Sequence, residues 1–358
     1  MSTSRENSRE KLLEMMTNVL GDRKEVTPPA KTWKALEKAD LTLVSVPEES
    51  GGSGGTLEDA ATVLHLAGRH AASVPLAETA FLAGWALSEC GLPVPNGPLT
   101  VAPARPGGGL DLHREGRVWV LSGRLRRVPW ARMATRLVVI GSSEEGRLVA
   151  LVDPRRCEIS PGENLAGEPR DDVVFDGAPA EEVALADAGV DEEALLLRGA
   201  LARSVAMTGA LERILELSVL YAREREQFGR PIGRFQAIQQ QLALLAGEVA
   251  AAKAAASAAV EATAYCEQIA EAAFEISAAK VRIGEAAGTA AAIAHQVHGA
   301  IGFTERHTLR HFTLQLWSWR DEFGAESEWA SRLGDIVTRR DAEALWPTIT
   351  SPHPRRSS

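Results

Sequence analysis

Tyrosine and cysteine are scarce in this chain, at two and three of 358 residues, and aromatic residues reach only 5%. Cys90, Cys157 and Cys266 stand far apart and form no C-x-x-C pair, which excludes a disulfide framework and offers no cysteine spacing for zinc. No uninterrupted apolar run reaches the roughly 18 residues of a membrane span, and the opening MSTSRENSREKLLEMM has no apolar core before a cleavage site. The expectation is a cytoplasmic protein with no membrane insertion and no metal. Positive charge is also short: 39 Lys+Arg against 48 Asp+Glu leave a formal charge of −9. Such a surface repels phosphate backbones and has no counterions to release, so nucleic acid is not the expected partner. Arg124, Arg126, Arg127 and Arg132 cluster, as do Arg223, Arg225, Arg230 and Arg234, without the interleaved aromatics of a single-strand binder. They fit a solvated face or an anion site for a small ligand.

Hydrophobic residues make up 45% of the chain, and its length suits two or three domains with a full core. The texture changes along it. Residues 1–97 read as an N-terminal helical domain, with helical spacing over 10–20, 32–38 and 57–68 and Thr56 as an N-cap ahead of two acids. The GGSGG run at 51–55 reads as a flexible turn, and no Lys-Ser/Thr follows it to make a phosphate loop. Residues 98–187 read as a central β domain, a small sandwich or barrel, with strands over 99–101, 117–121, 137–140, 148–152 and 172–175. Residues 188–346 read as a C-terminal helix bundle of four helices, so rich in alanine over 250–259 that close helix packing is expected. A tail, 347–358, is expected to be disordered. The fold class is α+β multidomain.

Several signatures, in this order, resemble the acyl-CoA dehydrogenase family. Trp33-Lys34-Ala35-Leu36 leads through Leu41–Pro47 into Glu48-Glu49-Ser50-Gly51-Gly52-Ser53-Gly54. Tyr221-Ala222-Arg223-Glu224-Arg225-Glu226-Gln227-Phe228-Gly229-Arg230-Pro231-Ile232 is followed by Phe235-Gln236 and is the most specific match. His295-Gln296-Val297-His298-Gly299-Ala300-Ile301-Gly302-Phe303 is the second. The resemblance spans nearly the whole chain and implies an FAD-dependent enzyme that oxidises an acyl-CoA thioester at its α,β bond, passing electrons to an acceptor the sequence does not identify. In that chemistry a carboxylate takes the α proton while the β hydrogen leaves as hydride to the flavin.

On the family pattern, Arg225, Gln227 and Phe228 match positions that reach the FAD of a neighbouring subunit. A guanidinium fork suits a diphosphate; the competing reading is an Arg225 paired with Glu224 or Glu226. Gln236 and Gln296 match positions beside the cofactor's adenosine and ribityl side. Gly299, Ala300 and Gly302 match positions where backbone approaches the diphosphate, although a helix-ending turn also explains the glycines. His295 and His298 are expected to pack or cap.

The pattern departs from the family at its chemistry. The usual catalytic glutamate falls on Phe323, ahead of Gly324; Glu322 is the nearest substitute, and Glu326 and Glu328 lack positional support. The alternative base position, in the first bundle helix, holds only Arg198 and Arg203 within 195–207. The flavin-side segment reads VAPARPGGGL over 101–110, without the family's hydroxyls and acid, and Trp130 either shields a flavin or packs. These losses, with the VPLAET segment at 74–79, resemble the degenerate partner of bacterial α2β2 members that act on bulky CoA thioesters such as steroid-derived ones. The leading expectation is such a partner beside a second dehydrogenase-like subunit. The alternatives are a homo-oligomeric enzyme using Glu322 and a scaffold of the same fold without activity.

Overall fold

The structure, a computed structural model, describes residues 2–21, 28–101, 110–305, 307–339 and 342–350. It divides into two compact units, Met1–Leu64 with Ala72–Ala202, and His65–Ala71 with Arg203–Ser358.

The first unit opens with helices α1 (Ser2–Leu20), α2 (Pro29–Lys38) and α3 (Leu57–Arg69), the last continuing into the second unit. Proline suits the first turn of α2, where its missing N–H has no partner to lose, and Trp33 and Leu36 face inward. Thr56 caps α3 as expected: its hydroxyl accepts the Asp59 N–H at 3.1 Å, and the Asp59 carboxylate accepts the Thr56 N–H at 2.9 Å. The glycine run before it is not the flexible turn expected from composition. Ser53, Gly54 and Gly55 donate backbone N–H groups to Leu43, Val46 and Val44, and a Cβ on Gly52 would stand 2.1 Å from the Val46 carbonyl. The glycines permit that close return. A π-helix, Ala77–Gly84, runs into α4 (Trp85–Glu89) and is wholly buried.

Seven strands follow: β1 (Leu99–Val101), β2 (Leu110–Glu115), β3 (Val118–Pro129), β4 (Arg136–Ser143), β5 (Gly146–Val152), β6 (Glu158–Ser160) and β7 (Arg170–Leu185). Five match the expected runs; β2 and β6 are additional, and β3 and β7 run well past them. Pairing β4-β2-β3-β7-β5 returns to β4, which closes these five strands into a barrel, while among the described residues β1 pairs only with β4 and β6 only with β7. Its interior is apolar, with Leu112, Leu121, Val139, Val152, Val173 and Phe175 buried. The ring of Trp130 is also buried, 2% exposed, which favours packing over the flavin-shielding alternative. The candidate flavin-side loop, 102–109, lies outside the described residues.

The last helices are α5 (Glu192–Glu224), which crosses from one unit to the other, α6 (Gln236–Tyr265), α7 (Ala273–His298), α8 (Leu309–Asp321), α9 (Glu326–Thr338) and α10 (Ala342–Thr350). A short hairpin, β8 (Glu226–Gln227) and β9 (Arg230–Pro231), joins α5 to α6. Within the second unit α7 is the central helix, packed by α6, α8 and α9 and burying Ile276, Ile283, Ala287, Ala290 and Ala294. Alanine there brings backbones close without side-chain entropy loss. The last turn of α3 joins this unit through glycines: a Cβ on Gly68 would stand 1.9 Å from the Ala206 carbonyl. Beside that crossing, Glu212 accepts from His65 at 3.0 Å and from Lys253.

Helix α6 is two-faced in an unusual way. Leu245, Val249, Ala252, Ala256 and Ala259 point inward at i, i+4, i+7 spacing, whereas Leu244, Gly247, Ala251, Ala254 and Ala258 form an exposed apolar stripe. Both α5 and α6 are long and apolar enough to cross a membrane by length and composition; the apolar window of α5 is 89% buried in the chain, that of α6 only 28%. Helix α10 continues to Thr350, past the expected end of the bundle at 346, and 351–358 of the expected tail lie outside the described residues.

Candidate functional site

Two clusters of the second unit carry the residues singled out in the sequence. The first stands where α8 hands over to α9. Phe323 and Gly324 are consecutive left-handed residues, φ +55° and +98°, and a Cβ on Gly324 would stand 2.6 Å from the Trp329 indole nitrogen. The indole N–H donates to the Phe323 carbonyl at 2.9 Å. A bulky residue with positive φ is held against its own preference, so the surrounding packing fixes this turn. The Phe323 ring is buried, 8% exposed.

Glu322 ends α8, and its carboxylate turns to Arg203 of α5, whose Nε donates to Oε2 at 2.7 Å. The two side chains keep 5% and 12% of their exposure. The Arg203 guanidinium also lies 5.8 Å from the Trp319 ring and 5.7 Å from the Phe323 ring. Lys280 of α7, 1% exposed, donates to the Trp319 and Arg320 carbonyls at 3.2 and 2.6 Å. Burial pushes its ammonium down to about 8, against an opposing pull from Glu322. The expected base position thus holds a phenyl ring, and the neighbouring carboxylate is an ion-pair acceptor between two buried cations. Glu326 is engaged with Arg320 at 2.9 Å. Arg198, in the first unit, stacks on Trp85 at 4.3 Å and donates to the Phe81 carbonyl at 3.3 Å.

The second cluster gathers the end of α5, the hairpin and the end of α7. Arg225 follows α5 directly, its N–H on the Tyr221 carbonyl and its own carbonyl accepting from Ile232, both at 2.8 Å. Its side chain is exposed, and among the described residues it makes no ion pair, so the expected competitor, pairing with Glu224 or Glu226, is not formed. Gln227 is exposed on β8. Phe228 and Gly229 form the hairpin tip with φ +54° and +74°, the two positive values of a type I′ turn, where Asn-Gly is the usual choice. Phenylalanine there costs on the order of 1–2 kcal/mol of backbone strain, and the ring is 90% exposed. Chain stability does not explain it. Gln236 at the start of α6 and Gln296 near the end of α7 are exposed.

Gly299 closes α7 at φ +63°, ψ −148°, a glycine-only region, and nothing lies within 4 Å of where a Cβ would stand; Ala300 beside it is exposed. Gly302 is closely packed instead: a Cβ there would stand 3.0 Å from the His298 side chain and 3.1 Å from that of Leu309. His295 bonds to Thr313 Oγ1 at 3.1 Å and stacks on Phe303; His298 donates Nδ1–H to the Ala294 carbonyl at 2.8 Å and stacks on Tyr221 at 4.6 Å. That stack brings the end of α5 to the end of α7. Among the described residues no group of three His, Cys, Asp or Glu could hold a metal.

The donor set suits a dinucleotide: an uncommitted guanidinium for a diphosphate, amides that donate and accept, an open glycine backbone and an exposed ring for an adenine face. Arg203 as the partner of Glu322 was not legible in sequence, because 119 positions separate the two. Lys280 had a local signal, a lone charge on an otherwise apolar helix face.

Residues 3–93 match the N-terminal domain of the acyl-CoA dehydrogenases and residues 190–319 their C-terminal domain. Acyl-CoA dehydrogenase IpdE2 of Mycobacterium tuberculosis (strain ATCC 25618 / H37Rv) is 31% identical over 279 residues, 77% of each chain. Acryloyl-CoA reductase (NADH) of Anaerotignum propionicum is 28% identical over 324 residues, 80% of this chain and 81% of that protein. Among solved structures, the ChsE4-ChsE5 complex from Mycobacterium tuberculosis superposes with a TM-score of 0.83 at 23% identity, covering 94% of this chain and 98% of that one. The Tcur3481-Tcur3483 steroid ACAD superposes with a TM-score of 0.81 at 25% identity, covering 93% and 98%.

Proposed function

The chain belongs to the acyl-CoA dehydrogenase family, and from that premise we propose that it is the base-lacking subunit of a heteromeric, FAD-dependent enzyme that desaturates a bulky, steroid-derived acyl-CoA thioester. The observation that carries this reading is the α8–α9 junction: a buried phenyl ring at the base position and Glu322 bound to Arg203. A general base must aim a lone pair at a substrate proton; here the buried Arg203 guanidinium holds Glu322 Oε2 at 2.7 Å and turns the carboxylate toward α5. The same contact argues against the homo-oligomeric enzyme with Glu322 as base.

What this subunit contributes is binding. When bound, FAD supplies the hydride acceptor. Arg225 would hold its diphosphate, Gln227, Gln236 and Gln296 would bond its sugar and ribityl groups, Phe228 would cover its adenine, and Gly299–Ala300 would offer open backbone. Their exposure supports a site completed by another chain. The exposed Leu244–Ala258 stripe of α6 supports a helix of that partner lying close, and the Tcur3481-Tcur3483 steroid ACAD, named for two proteins, supports both the heteromer and the substrate class.

Turnover by the purified chain alone tests the role. Without a positioned base the rate falls by about 10²- to 10⁴-fold, so a panel of acyl-CoAs with a dye acceptor is expected to give no appreciable turnover. Rates near 1 s⁻¹ or above, an ordinary enzyme value, would refute the proposal; if they persist in Glu322→Gln, the homo-oligomeric alternative falls too.

A further inference from the structure

The two candidate flavin-holding segments, 225–228 and 296–300, stand at the ends of different helices, α5 and α7, and three rings join them. Tyr221 and His298 stack at 4.6 Å with 26° between planes, while His307 meets His298 at 4.8 Å and 67° and Tyr221 edge-on at 6.3 Å. Tyr221 accepts the Arg225 N–H on its carbonyl, so its place sets that of the hairpin base. His298 immediately precedes Gly299. We propose that the Tyr221–His298–His307 ring cluster is the positioning element that fixes the Arg225 hairpin relative to the Gln296–Ala300 turn so that both engage one flavin diphosphate. This deepens, and rests on, the flavin reading above.

The hydrogen bonds describe a neutral cluster. His298 uses Nδ1–H for the Ala294 carbonyl and keeps Nε2 buried, and His307 accepts the Leu309 N–H on Nδ1 at 3.2 Å. The groups acting on the charge of His298 are His307 and His295, which oppose it, and the Ala294 and Leu217 carbonyls, which favour it. No carboxylate acts on it among the described residues. Burial holds His295, His298 and His307 all below the ordinary histidine value. Because the folded values are depressed, the folded cluster binds fewer protons than the unfolded chain, and its contribution is present above about pH 6.5 and lost as pH falls below it. Acid should therefore loosen the flavin-holding pair through ring repulsion, with no change in the contacting residues themselves.

The test uses the assembly co-expressed with a dehydrogenase-like partner chain. Flavin retained after gel filtration is measured from pH 8 to pH 5 for the wild type, His298→Ala and His298→Phe, together with hydrogen exchange of residues 221–232. The wild type should hold flavin at pH 7.5 and release it as the pH falls toward 5. His298→Phe, which keeps a stacking ring but cannot titrate, should hold flavin with a shallower profile than the wild type, because only His307 and His295 still titrate; His298→Ala should bind at least about tenfold more weakly at pH 7.5 and exchange faster over 221–232. A yellow wild type whose His298→Ala variant keeps both flavin and exchange rates would overturn this inference alone. So would a His298→Phe profile that still titrates like the wild type. A wild type colourless at pH 7.5 would overturn the flavin reading and this inference with it.

Discussion

The Arg203–Glu322 pair should behave as one coupled unit, so that removing both members costs clearly less than the sum of removing each. At 5% and 12% side-chain exposure the charges are screened little by water, so a survivor is left buried with its hydration already lost. Deleting one partner of such a pair costs about 3–5 kcal/mol. Glu322→Gln belongs at the upper end, because it removes the carboxylate that Arg203 binds and that pulls most strongly on the Lys280 charge, leaving the repulsion between these two cations. Arg203→Met belongs at the lower end, since Lys280 still attracts Glu322. The double variant should cost about 1.5–3 kcal/mol less than the sum of the singles. Urea unfolding followed by circular dichroism, on all four proteins at one concentration, closes the cycle. Additivity within about 0.5 kcal/mol would refute the ion pair as a coupled unit. A nearly neutral Glu322→Gln that instead abolished turnover would refute the account more deeply, because it is the signature of a catalytic base rather than an ion-pair acceptor.

Three further outcomes are expected. The buried Lys280, pushed down from 10.5 to about 8, binds fewer protons folded than unfolded between those values, so stability should rise with pH across that window by up to about 3 kcal/mol; Lys280→Met should flatten the rise, and an unchanged slope in thermal melts would assign it elsewhere. Ala254→Trp on the exposed stripe of α6 should cost the single chain no more than about 1 kcal/mol, because it touches no core, yet block assembly by gel filtration; an intact assembly would move the interface off that stripe. Arg225→Ala should weaken flavin binding by about ten- to a hundredfold, the value of about 1.5–3 kcal/mol for a charged donor, in an assembly of unchanged size; full retention would return Arg225 to the solvated surface.

The order of helical, β and helical segments was legible because the residue textures differ: periodic apolar residues, then β-branched runs, then alanine. Strand β2 was missed because LDLHRE buries only Leu110 and Leu112 and reads as a charged turn. The glycine run misled for a related reason: composition reports freedom in the unfolded chain, whereas the Val46 carbonyl at Gly52 uses glycine for close approach. At the site, sequence located Phe323, Glu322 and the Arg225 hairpin but not their relations. Arg203 reaches Glu322 only through the crossing of α5 and α8, and Tyr221 meets His298 only where α5 and α7 end together. The left-handed, exposed Phe228 had a faint signal in Phe-Gly at a hairpin tip, where Asn-Gly is expected.

Co-expression with a dehydrogenase-like chain that carries a carboxylate base tests the central claim most directly, with flavin content, subunit ratio and acyl-CoA turnover measured on the purified product. The account predicts a yellow complex of equal stoichiometry that turns over, and a colourless, inactive protein when this chain is made alone. A stable, yellow and fully active homo-oligomer of this chain alone would contradict it.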